Sequence, residues 1–468
     1  MRIRVLGQHV PVSIAVLAFA EGTLAFLALY AAVFLRFETP VARIHALEIK
    51  LGPLWPRGLV FSAIVVMSLL AFGLYSGRQR AQLTGIVLRL GAALVVASGL
   101  SAALYYILPS LALWRGPLAL AVLFAGCSVL ASRLVFVRVV DQEIFKRRVL
   151  VYGAGTSARA IANLRRSTDR RAFVLVGYVQ PAGEEASVPA DRLLDPQGDL
   201  CGLCDRLGVT EVVVAMDDRR RGFPIRDLLE CRLGGVDVTE LLTFLERETG
   251  RVRLDVLNPS WMIFGQGFRR DPLRLFSSRM LDVLASIGVL TLAAPFMLLT
   301  VIAIKVEDGW RAPTLYSQRR VGLGGRTFNV IKFRSMRQDA ELNGAQWAQH
   351  SDPRITRVGA VIRKLRIDEL PQIFNVLRGH MSFVGPRPER PEFVEELSEK
   401  IPYYVQRHCV KPGITGWAQL CYPYGSSEQD ALEKLQYDLY YIKNNNLLFD
   451  LAILVQTAEV VLLGKGAR

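Results

Sequence analysis

The stretch Arg363-Lys-Leu-Arg-Ile-Asp-Glu-Leu-Pro-Gln372 places two adjacent carboxylates, Asp368 and Glu369, at a predicted helix start. The apolar residues that follow recur at helical spacing, Pro371 suits a first helical turn, and Gly379 supplies a stop. A carboxylate in this position feels the positive end of the helix dipole. We therefore expect Asp368 to stay ionised at neutral pH.

Two roles suit this acidic pair. An ionised aspartate among many arginines and lysines suggests a nucleophile that attacks a phosphate. The alternative is that Asp368 only caps the helix. On this short stretch alone the cap is the favoured interpretation, because helix caps are common. The rest of the chain has to decide between the two.

The composition indicates the setting. The chain has 468 residues, of which 51% are hydrophobic, and a formal net charge of +15. This combination predicts a membrane protein with a basic cytoplasmic part, and the length suits roughly three domains. Nucleic-acid binding would also explain the charge. No nucleic-acid motif accompanies the basic residues, so we expect no nucleic-acid partner.

Four apolar runs occupy the first third of the chain, each close to the roughly 20 residues that cross a bilayer as a helix. No convincing cleavage site follows the first run, so we interpret it as a retained span. Basic residues at 2–4, 78–80 and 146–148 place both ends of this predicted four-helix transmembrane bundle in the cytoplasm. Glu21 is the one carboxylate inside a span, which disfavours an ion-coupled transporter. The runs cover residues 10–35, 54–75, 86–108 and 111–137.

Residues 147–250 predict a small Rossmann-like α/β domain with a parallel sheet, including strands at 173–179 and 209–215. Gly153, Gly155 and Ala158 fit the glycine-rich dinucleotide pattern and are weak nucleotide-binding candidates. The acidic residue expected after the second strand is absent, because Val179 is followed by Gln180. We therefore favour a structural or regulatory role over nicotinamide binding, and an anion at this turn stays open.

Cys201-Gly-Leu-Cys204 is a single cysteine pair without a second pair at zinc-site spacing. The six cysteines of the chain are expected to be reduced thiols, since most of the chain is predicted to be cytoplasmic. Only five histidines are present, none at zinc-ligand spacing, so a zinc enzyme is not expected.

Residues 279–306 form a fifth apolar run with Pro295 near its centre, where proline bends or breaks a helix. Basic residues stand on both sides of the run, so its two ends are predicted to share the cytoplasmic face. We favour a re-entrant helix hairpin that turns at Ala294-Pro295. The alternative is an ordinary span with a proline kink, which would export everything that follows it.

A basic α/β region dense in glycine and proline follows this run. A glycine turn at 322–325 leads into a predicted strand, 327–336, which places Lys332 and Arg334 on one face. Two further glycine and proline motifs, one containing Arg387, come after the acidic pair. A pyrophosphate substrate needs several cations and an acidic group to hold a metal, so this clustering favours catalysis over capping.

At this point the region 272–468 resembles the bacterial sugar transferases that act on polyprenyl phosphate, the monotopic phosphoglycosyl transferases. The whole chain resembles the large members, such as the undecaprenyl-phosphate glucose or galactose phosphotransferases. Many members have Ser-Pro where this chain has Ala294-Pro295, so a hydrogen bond from that serine is lost. The matching segments are Gln318-x-Arg320-x-Gly322, Lys332-Phe-Arg334-Ser-Met336, Arg363 with Asp368-Glu369-Leu-Pro-Gln372, Gly385-Pro-Arg387-Pro388 and Lys411-Pro-Gly-Ile-Thr-Gly-Trp417.

The resemblance implies a two-step reaction. Asp368 would attack the β-phosphorus of a UDP-sugar, UDP-glucose or UDP-galactose being favoured, and release UMP. Undecaprenyl phosphate would then take the sugar phosphate from the enzyme. Glu369, together with Asp368, would hold Mg²⁺. The substrate phosphates would be bound by five cationic side chains: Arg320, Lys332, Arg334, Arg363 and Arg387.

The resemblance also implies the setting. It implies three domains, 1–140, 147–250 and 272–468, the last being the catalytic α/β domain anchored by the hairpin at 279–306. The protein would lie among the lipids of the bacterial inner membrane with its catalytic domain in the cytoplasm. There it would start a repeat unit of exopolysaccharide, capsule or O-antigen. A homodimer stays open, as do the sugar and the pathway.

Three alternatives remain at this stage. Asp368 could serve only as a metal ligand, with direct transfer in a ternary complex. The glycine turn at 153–158 could belong to a nucleotide-sugar dehydratase, although Tyr440-Tyr-Ile-Lys443 lacks the tyrosine–lysine spacing of such enzymes. The chain could also be a scaffold for polysaccharide assembly without activity of its own.

Overall fold

The computed structural model describes residues 2–5, 8–37, 53–75, 83–111, 114–140, 146–164, 173–220, 222–257, 272–337, 354–422, 425 and 427–462. The basic residues predicted at 78–80, and Arg269 and Arg270 among those that precede the fifth apolar run, lie outside these residues. The contacts divide the chain into two compact units, Met1–Phe244 and Leu245–Arg468. The three domain boundaries expected from the sequence stay a prediction.

The first unit begins with a short antiparallel hairpin, β1 (Arg2–Val5) and β2 (Gln8–Pro11), and continues with four long apolar helices. Apolar side chains surround most of each helix, which is typical of a helix in lipid or a large core. The helices pack on one shared core that includes Leu29, Phe61 and Val129. They are α1 (Val12–Phe37), α2 (Leu54–Ala71), α3 (Leu83–Ile107) and α4 (Arg115–Val140).

One polar cluster lies inside these helices. Arg133 of α4 places Nη2 2.9 Å from Oε2 of Glu21 on α1, and the hydroxyl of Tyr75 donates to the same oxygen at 2.6 Å. Glu21 is fully buried. A buried carboxylate is costly unless it is paired and hydrogen-bonded, so this ion pair explains how the one acidic residue of the first four apolar runs is tolerated.

The rest of the first unit is a five-stranded parallel sheet with the order β5-β4-β3-β6-β7. The first strand lies at the centre, as in doubly wound folds, and the sheet is parallel, as predicted from the sequence. The predicted strand 173–179 is confirmed, and the one predicted at 209–215 is shorter. The strands are β3 (Arg147–Tyr152), β4 (Phe173–Val179), β5 (Leu193–Leu194), β6 (Glu211–Val214) and β7 (Asp237–Glu240). The helices are α5 (Thr156–Ala162), α6 (Leu200–Arg206), α7 (Ile225–Leu233) and α8 (Leu241–Thr249), the last crossing the boundary between the units.

The second unit contains the fifth long helix, α9 (Pro272–Asp308), which runs continuously with Pro295 inside it. An antiparallel hairpin follows, β8 (Leu315–Val321) and β9 (Thr327–Phe333), joined through a turn at 323–325. Further elements are α10 (Arg357–Lys364), α11 (Gln372–Leu377), β10 (Ser382–Val384), α12 (Pro391–Lys400), β11 (Gly413–Thr415), α13 (Trp417–Cys421), α14 (Glu428–Asn444) and α15 (Leu447–Leu462).

Close backbone packing explains the glycines of the two motifs that follow the acidic pair. Strands β10 and β11 pair in parallel, with Ser382 opposite Gly413 and Val384 opposite Thr415. A Cβ atom on Gly385 would lie 2.4 Å from the carbonyl oxygen of Lys411. A side chain would therefore force these backbones apart. The pairing fixes the segment that carries Arg387.

Polar anchors hold both ends of α9 to the second unit. Near its start, Arg279 donates to the carbonyl oxygens of Val376 and Leu377, each at 2.6 Å. Asp282, one turn later, accepts from the hydroxyl of Ser382 at 2.8 Å and the backbone N–H of Phe383 at 2.9 Å. The groups that Arg279 and Asp282 bind therefore lie on either side of the turn between α11 and β10.

At the other end of α9, the carboxylate of Glu307 accepts from the backbone N–H groups of Arg357 and Val358, at 2.8 and 3.0 Å. Those N–H groups belong to the first turn of α10, which has no intrahelical acceptors for them. Asp308 next to it pairs with Arg334. The long helix therefore helps to set the position of α10, which carries Arg363.

Candidate active site

The acidic pair lies in a tight turn between α10 and α11. Residues Ile367–Glu369 form a 3₁₀ turn that follows Arg366, whose φ of 59° is in the left-handed region. The α-helix itself starts only at Gln372. Neither the turn nor the helix is capped by a side-chain hydrogen bond. The cap interpretation of Asp368 therefore has no support in the geometry.

Glu369 is held by two cations from distant parts of the chain. Its Oε1 atom lies 3.3 Å from Nζ of Lys332 on β9 and 3.2 Å from Nη2 of Arg387. Burial alone would raise the pKa of Glu369, but Arg387, Lys332 and Arg366 outweigh it and hold that pKa well below its usual range. Glu369 is therefore a carboxylate at neutral pH.

Lys332 is the lysine that contacts Glu369. Burial lowers its pKa, Glu369 and Asp368 raise it, and the nearby Arg387 and Arg320 lower it. The net pKa is below the usual value for lysine. Removing an ammonium group from water is costly without an anion beside it, so Glu369 stabilises the charged form of the partly buried Lys332.

Asp368 differs from its neighbour. Burial and the charge of Glu369 raise its pKa, against the opposing effects of Lys332, Arg363 and Arg366. Its Oδ1 atom is buried and has no hydrogen-bond partner among the described residues. The expected dipole effect is thus outweighed by desolvation. A carboxylate oxygen left unpaired amid cations is a good candidate for a group that bonds to substrate.

Arg320 and Arg407 brace the segment that carries Arg387. Arg320 donates to the carbonyl oxygen of Pro388 at 3.1 Å and to the side chain of Gln318. Arg407 donates to the carbonyl oxygen of Arg387 at 3.1 Å. Arg407 is itself buried and paired with Asp438 at 2.8 Å. Both arginines therefore position Arg387 through its backbone.

The geometry brings together most of the residues predicted from the sequence. The structure brings four of them together: Asp368, Glu369, Lys332 and Arg387. The charge of Arg363 lowers the pKa of Asp368, and that of Arg320 lowers the pKa of Lys332. Arg334 is placed elsewhere, because β9 ends at Phe333 and the guanidinium pairs with Asp308. Its expected role in substrate binding stays a prediction. Pro295 lies far along α9, where no substrate contact can be assigned.

Two residues of the site were missed in the sequence. Arg366 lowers the pKa of Glu369 and opposes the rise in the pKa of Asp368. Its position two residues before Asp368 was the available signal. Arg407 was missed because its partner Asp438 lies 31 positions later, and no local pattern joins them.

The acidic pair also limits which metal could bind. Among the described residues, no three His, Cys, Asp or Glu side chains lie at metal-ligand spacing. Mg²⁺ does not need such a group, since it is usually held by one or two carboxylates together with substrate phosphates and water. The unpartnered Oδ1 of Asp368 and the adjacent Glu369 fit that mode of binding.

Comparison with known proteins identifies the relatives of this site. A family model described as bacterial sugar transferase matches residues 273–464. The exopolysaccharide production protein PSS of Rhizobium leguminosarum bv. phaseoli is 39% identical over 202 residues, covering 41% of this chain and 98% of that protein. The chain belongs to the bacterial sugar transferase family. All of the predicted catalytic and phosphate-binding residues lie inside the matched region.

Two further relatives resemble this bacterial sugar transferase. A UDP-N-acetylgalactosamine-undecaprenyl-phosphate N-acetylgalactosaminephosphotransferase of Aeromonas hydrophila is 44% identical over 252 residues, 54% of this chain. An undecaprenyl-phosphate glucose phosphotransferase of Komagataeibacter xylinus is 33% identical over 329 residues, 69% of this chain. The match spans only 58% and 60% of the lengths of these two relatives.

Within the part of this sugar transferase that the structure describes, five helices are long and apolar enough to cross a membrane: Val16–Arg36, Leu54–Ala71, Gly85–Ile107, Arg115–Phe136 and Pro272–Asp308. They correspond to the five apolar runs predicted from the sequence. Together with the α/β region they fit a membrane protein with a catalytic domain. The protein is therefore a membrane protein, as the composition predicted.

The glycine turn of the parallel sheet is filled by the chain's own carboxylates. Glu184 accepts from the N–H groups of Ala154 at 3.1 Å and of Asp217 at 2.9 Å. Asp217 accepts from the N–H groups of Thr156 and Ser157, both at 2.7 Å. These N–H groups are the ones that a bound pyrophosphate would need.

These carboxylates support a structural role for Gly153, Gly155 and Ala158. A Cβ atom on Gly155 would lie 2.2 Å from Oδ2 of Asp217, so glycine makes room for an internal carboxylate. The hydrogen bonds from Ser157 and Thr156 lower the pKa of Asp217 despite its partial burial. Nucleotide binding at this turn stays a prediction.

Proposed function

We propose that this chain is a phosphoglycosyl transferase that moves a sugar 1-phosphate from a UDP-sugar to undecaprenyl phosphate and releases UMP. The observation that carries the proposal is the buried, unpartnered Oδ1 of Asp368 next to Glu369, whose carboxylate contacts Lys332 and Arg387. The names of the relatives from Aeromonas hydrophila and Komagataeibacter xylinus support the class of donor and acceptor. The product would start the repeat unit of a polysaccharide.

In the first step, a carboxylate oxygen of Asp368 forms a bond to the β-phosphorus of the UDP-sugar. The bond from that phosphorus to the bridging oxygen breaks, and UMP leaves with the electron pair. The product is an acyl phosphate that carries the sugar. This bond is energetic enough for the sugar phosphate to be transferred to another phosphate. Desolvation of Asp368 favours this step, because a carboxylate with few hydrogen bonds is a stronger nucleophile.

In the second step, a phosphate oxygen of undecaprenyl phosphate attacks the same phosphorus. The bond to Asp368 breaks, the carboxylate is restored, and a lipid-linked diphosphosugar leaves. Lys332 and Arg387 remain charged throughout and stabilise the charge that moves between phosphoryl oxygens. Arg363 and Arg320 add to the positive potential around the site. The alternative mechanism is direct transfer in a ternary complex.

A bound magnesium ion would be held by Asp368 and Glu369 together with the substrate phosphates. It would supply a positive charge that neutralises the diphosphate and its leaving oxygen. Glu369 suits this role because its low pKa keeps it ionised. The protein side chains already provide the cations for the remaining oxygens. Chelation of divalent ions should therefore stop UMP release without unfolding the protein.

We infer that α9 enters the membrane and returns, with the catalytic domain on the cytoplasmic face of the bacterial inner membrane. Pro295 lies within the helix and supports a bend there. The anchors at Arg279 and Asp282 and those at Glu307 and Asp308 belong to the same unit, which supports both ends sharing one face. The site would then lie where a soluble nucleotide sugar meets a lipid phosphate.

The central experiment measures UMP release by the purified protein with undecaprenyl phosphate. The donors are UDP-glucose, UDP-galactose and UDP-N-acetylgalactosamine, since the first two are favoured by the sequence and the third is named in a relative. We expect one donor to react, and Asp368→Asn to abolish turnover. Glu399→Gln on the exposed face of α12 is the matched control. Normal turnover by Asp368→Asn would refute the nucleophile.

A trapping experiment distinguishes the two mechanisms. A donor with a labelled β-phosphate is incubated with the protein in the absence of lipid, and the protein is digested and sequenced by mass spectrometry. Label on Asp368 supports the covalent intermediate. Full activity without any trapped label would favour direct transfer in a ternary complex.

Labelling of introduced cysteines tests the re-entrant helix. Leu273→Cys and Arg311→Cys, placed separately in a variant without the six native cysteines, mark the two sides of α9. A re-entrant helix exposes both to a membrane-impermeant reagent from the same side. Labelling from opposite sides would show a single crossing instead.

A further inference from the structure

Three thiols meet on two helices of the parallel-sheet region, far from the catalytic residues in sequence. Cys201 and Cys204 lie on α6, and Cys231 lies on α7. The Sγ atoms of Cys201 and Cys231 are 3.2 Å apart. Cys204 lies close enough to Cys231 to affect its pKa. The sequence showed only the pair on α6, because Cys231 is 30 positions from Cys201.

The three thiols differ in their access to solvent. Cys204 and Cys231 are buried in the core beneath the sheet, at 1% and 0% exposure, whereas Cys201 is only partly buried. Burial raises the pKa of Cys204 to about 11, so it remains a thiol at neutral pH. Burial also raises the pKa of Cys231, so neither buried thiol reacts first with an oxidant from solvent, and Cys231 can act only on a sulfur already in contact with it, as that of Cys201 is. A reagent from solvent therefore meets Cys201 first.

We propose that Cys201 and Cys231 form an oxidisable dithiol that closes to a disulfide between α6 and α7 when a hydroperoxide reaches Cys201. In the first step the sulfur of Cys201 attacks the hydroperoxide, gains one oxygen as a sulfenic acid, and the peroxide leaves as an alcohol or water. In the second step the thiol of Cys231 displaces that oxygen as water. Two thiols are oxidised and one peroxide is reduced.

The geometry favours a disulfide over a metal site. The two sulfur atoms need to approach by roughly 1 Å to reach the length of a disulfide bond. The three thiols do not lie at metal-ligand spacing, and no other three metal-ligating side chains among the described residues do. The nearby Asp199 is engaged as the cap of α6, where it accepts from the N–H of Gly202 at 2.7 Å.

The disulfide would tie together two helices that pack side by side. Both contribute to one hydrophobic cluster, which includes Leu203, Cys204, Leu228 and Cys231. A cross-link between positions 30 apart restricts the unfolded chain, so the oxidised form is expected to unfold at a higher temperature than the reduced form. In a reducing cytoplasm such a bond is transient, which is typical of redox-responsive sites.

The test uses the full chain in detergent, treated with hydrogen peroxide while folded, then denatured, alkylated, digested and mapped by mass spectrometry. We expect a peptide pair joined through Cys201 and Cys231 that dithiothreitol separates. The other cysteines serve as internal controls and stay alkylatable: Cys127, Cys204, Cys409 and Cys421. Two results would overturn the proposal: full alkylation of Cys201 and Cys231 after peroxide, or a bridge between Cys201 and Cys204.

Variants sharpen this result. In Cys231→Ala the cross-link is lost and Cys201 proceeds to sulfinic acid, because the resolving thiol is gone and the remaining Cys204 is not its partner. Cys204→Ala is the matched control, which removes the third thiol and keeps the cross-link. A cross-link that depends on Cys204 would contradict the assignment. The peptide map of the wild type shows whether the Cys201–Cys231 disulfide forms, and it does so even if Cys231→Ala fails to fold.

Discussion

The Nζ atom of Lys332 lies 3.3 Å from Oε1 of Glu369 and joins a β-hairpin to the turn that carries the acidic pair. Arg387 reaches the same oxygen at 3.2 Å. The neighbouring Oδ1 of Asp368 has no hydrogen-bond partner among the described residues. The two adjacent carboxyl groups therefore differ in acidity: the pKa of Glu369 is lowered and that of Asp368 is raised.

Replacement of Lys332 tests this relationship. Lys332→Met should lower UMP release by roughly 100-fold or more, because the proposed mechanism uses this partly buried cation to stabilise the transferred phosphate. It also leaves Glu369 with one cation fewer and so raises its pKa. Lys364→Met, an exposed lysine at the end of α10, is the control. Wild-type kinetics in Lys332→Met would contradict a role in transfer.

The cap provided by Glu307 is expected to contribute to stability. Glu307→Ala leaves the N–H groups of Arg357 and Val358 without their acceptor and should destabilise the protein by about 1 kcal/mol. Glu307→Gln keeps an acceptor oxygen and should lose less. Thermal unfolding in detergent provides the measurement. Glu399→Ala on α12 is the control, and an equal melting temperature for it and Glu307→Ala would argue against the cap.

Asp450 predicts a dependence of stability on pH. Burial raises its pKa to about 7, the hydroxyl of Tyr441 and the charge of Arg274 oppose the rise, and Asp282 adds to it. The folded state then binds more protons than the unfolded state, so stability falls as the pH rises from about 4 to about 7. The loss persists above that window.

Asp450→Asn should remove this fall, because the amide cannot ionise and still accepts the hydrogen bond from Tyr441. Its melting temperature should exceed that of the wild type at about pH 8 and differ little at about pH 4. The measurement is thermal unfolding across this range. Glu395→Gln, an exposed carboxylate, should leave the profile unchanged. A parallel profile for Asp450→Asn and the wild type would refute the prediction.

The filled glycine turn gives a prediction about Gly155. Gly155→Ala would place a Cβ atom 2.2 Å from Asp217 and 2.7 Å from Glu184, so two carboxylates must move out of their hydrogen bonds. We expect a loss of roughly 1–3 kcal/mol in stability, measured by thermal unfolding. Gly91→Ala, with no atom within 4 Å of the added Cβ, is the control. An unchanged melting temperature in Gly155→Ala would contradict the packing.

Local patterns predicted much of the fold. The five apolar runs became five long helices, and the strand pattern at 173–179 matched β4. Such segments are readable because hydrophobic periodicity and length act within one element. The helix start near Asp368 was less accurate, since a 3₁₀ turn intervenes before Gln372. The boundary depends on the left-handed conformation of Arg366, which no local pattern indicated.

Partners distant in the sequence were beyond prediction. Lys332 and Arg334 were expected to act together, yet one faces Glu369 and the other Asp308. The partner of Glu21 is Arg133, and the third thiol beside Cys201 is Cys231. These contacts arise only when separate helices and strands pack. The identity of a single residue does not reveal which element will approach it.

The sequence by itself determined the membrane helices, the parallel sheet and the residue types of the site, because each depends on composition and local spacing. The tertiary structure alone decided how the acidic pair divides its roles. Glu369 receives two cations from β9 and the Arg387 segment, whereas Asp368 is buried without a partner for Oδ1. The physical reason is that desolvation and Coulomb energies depend on distances in space, which folding sets.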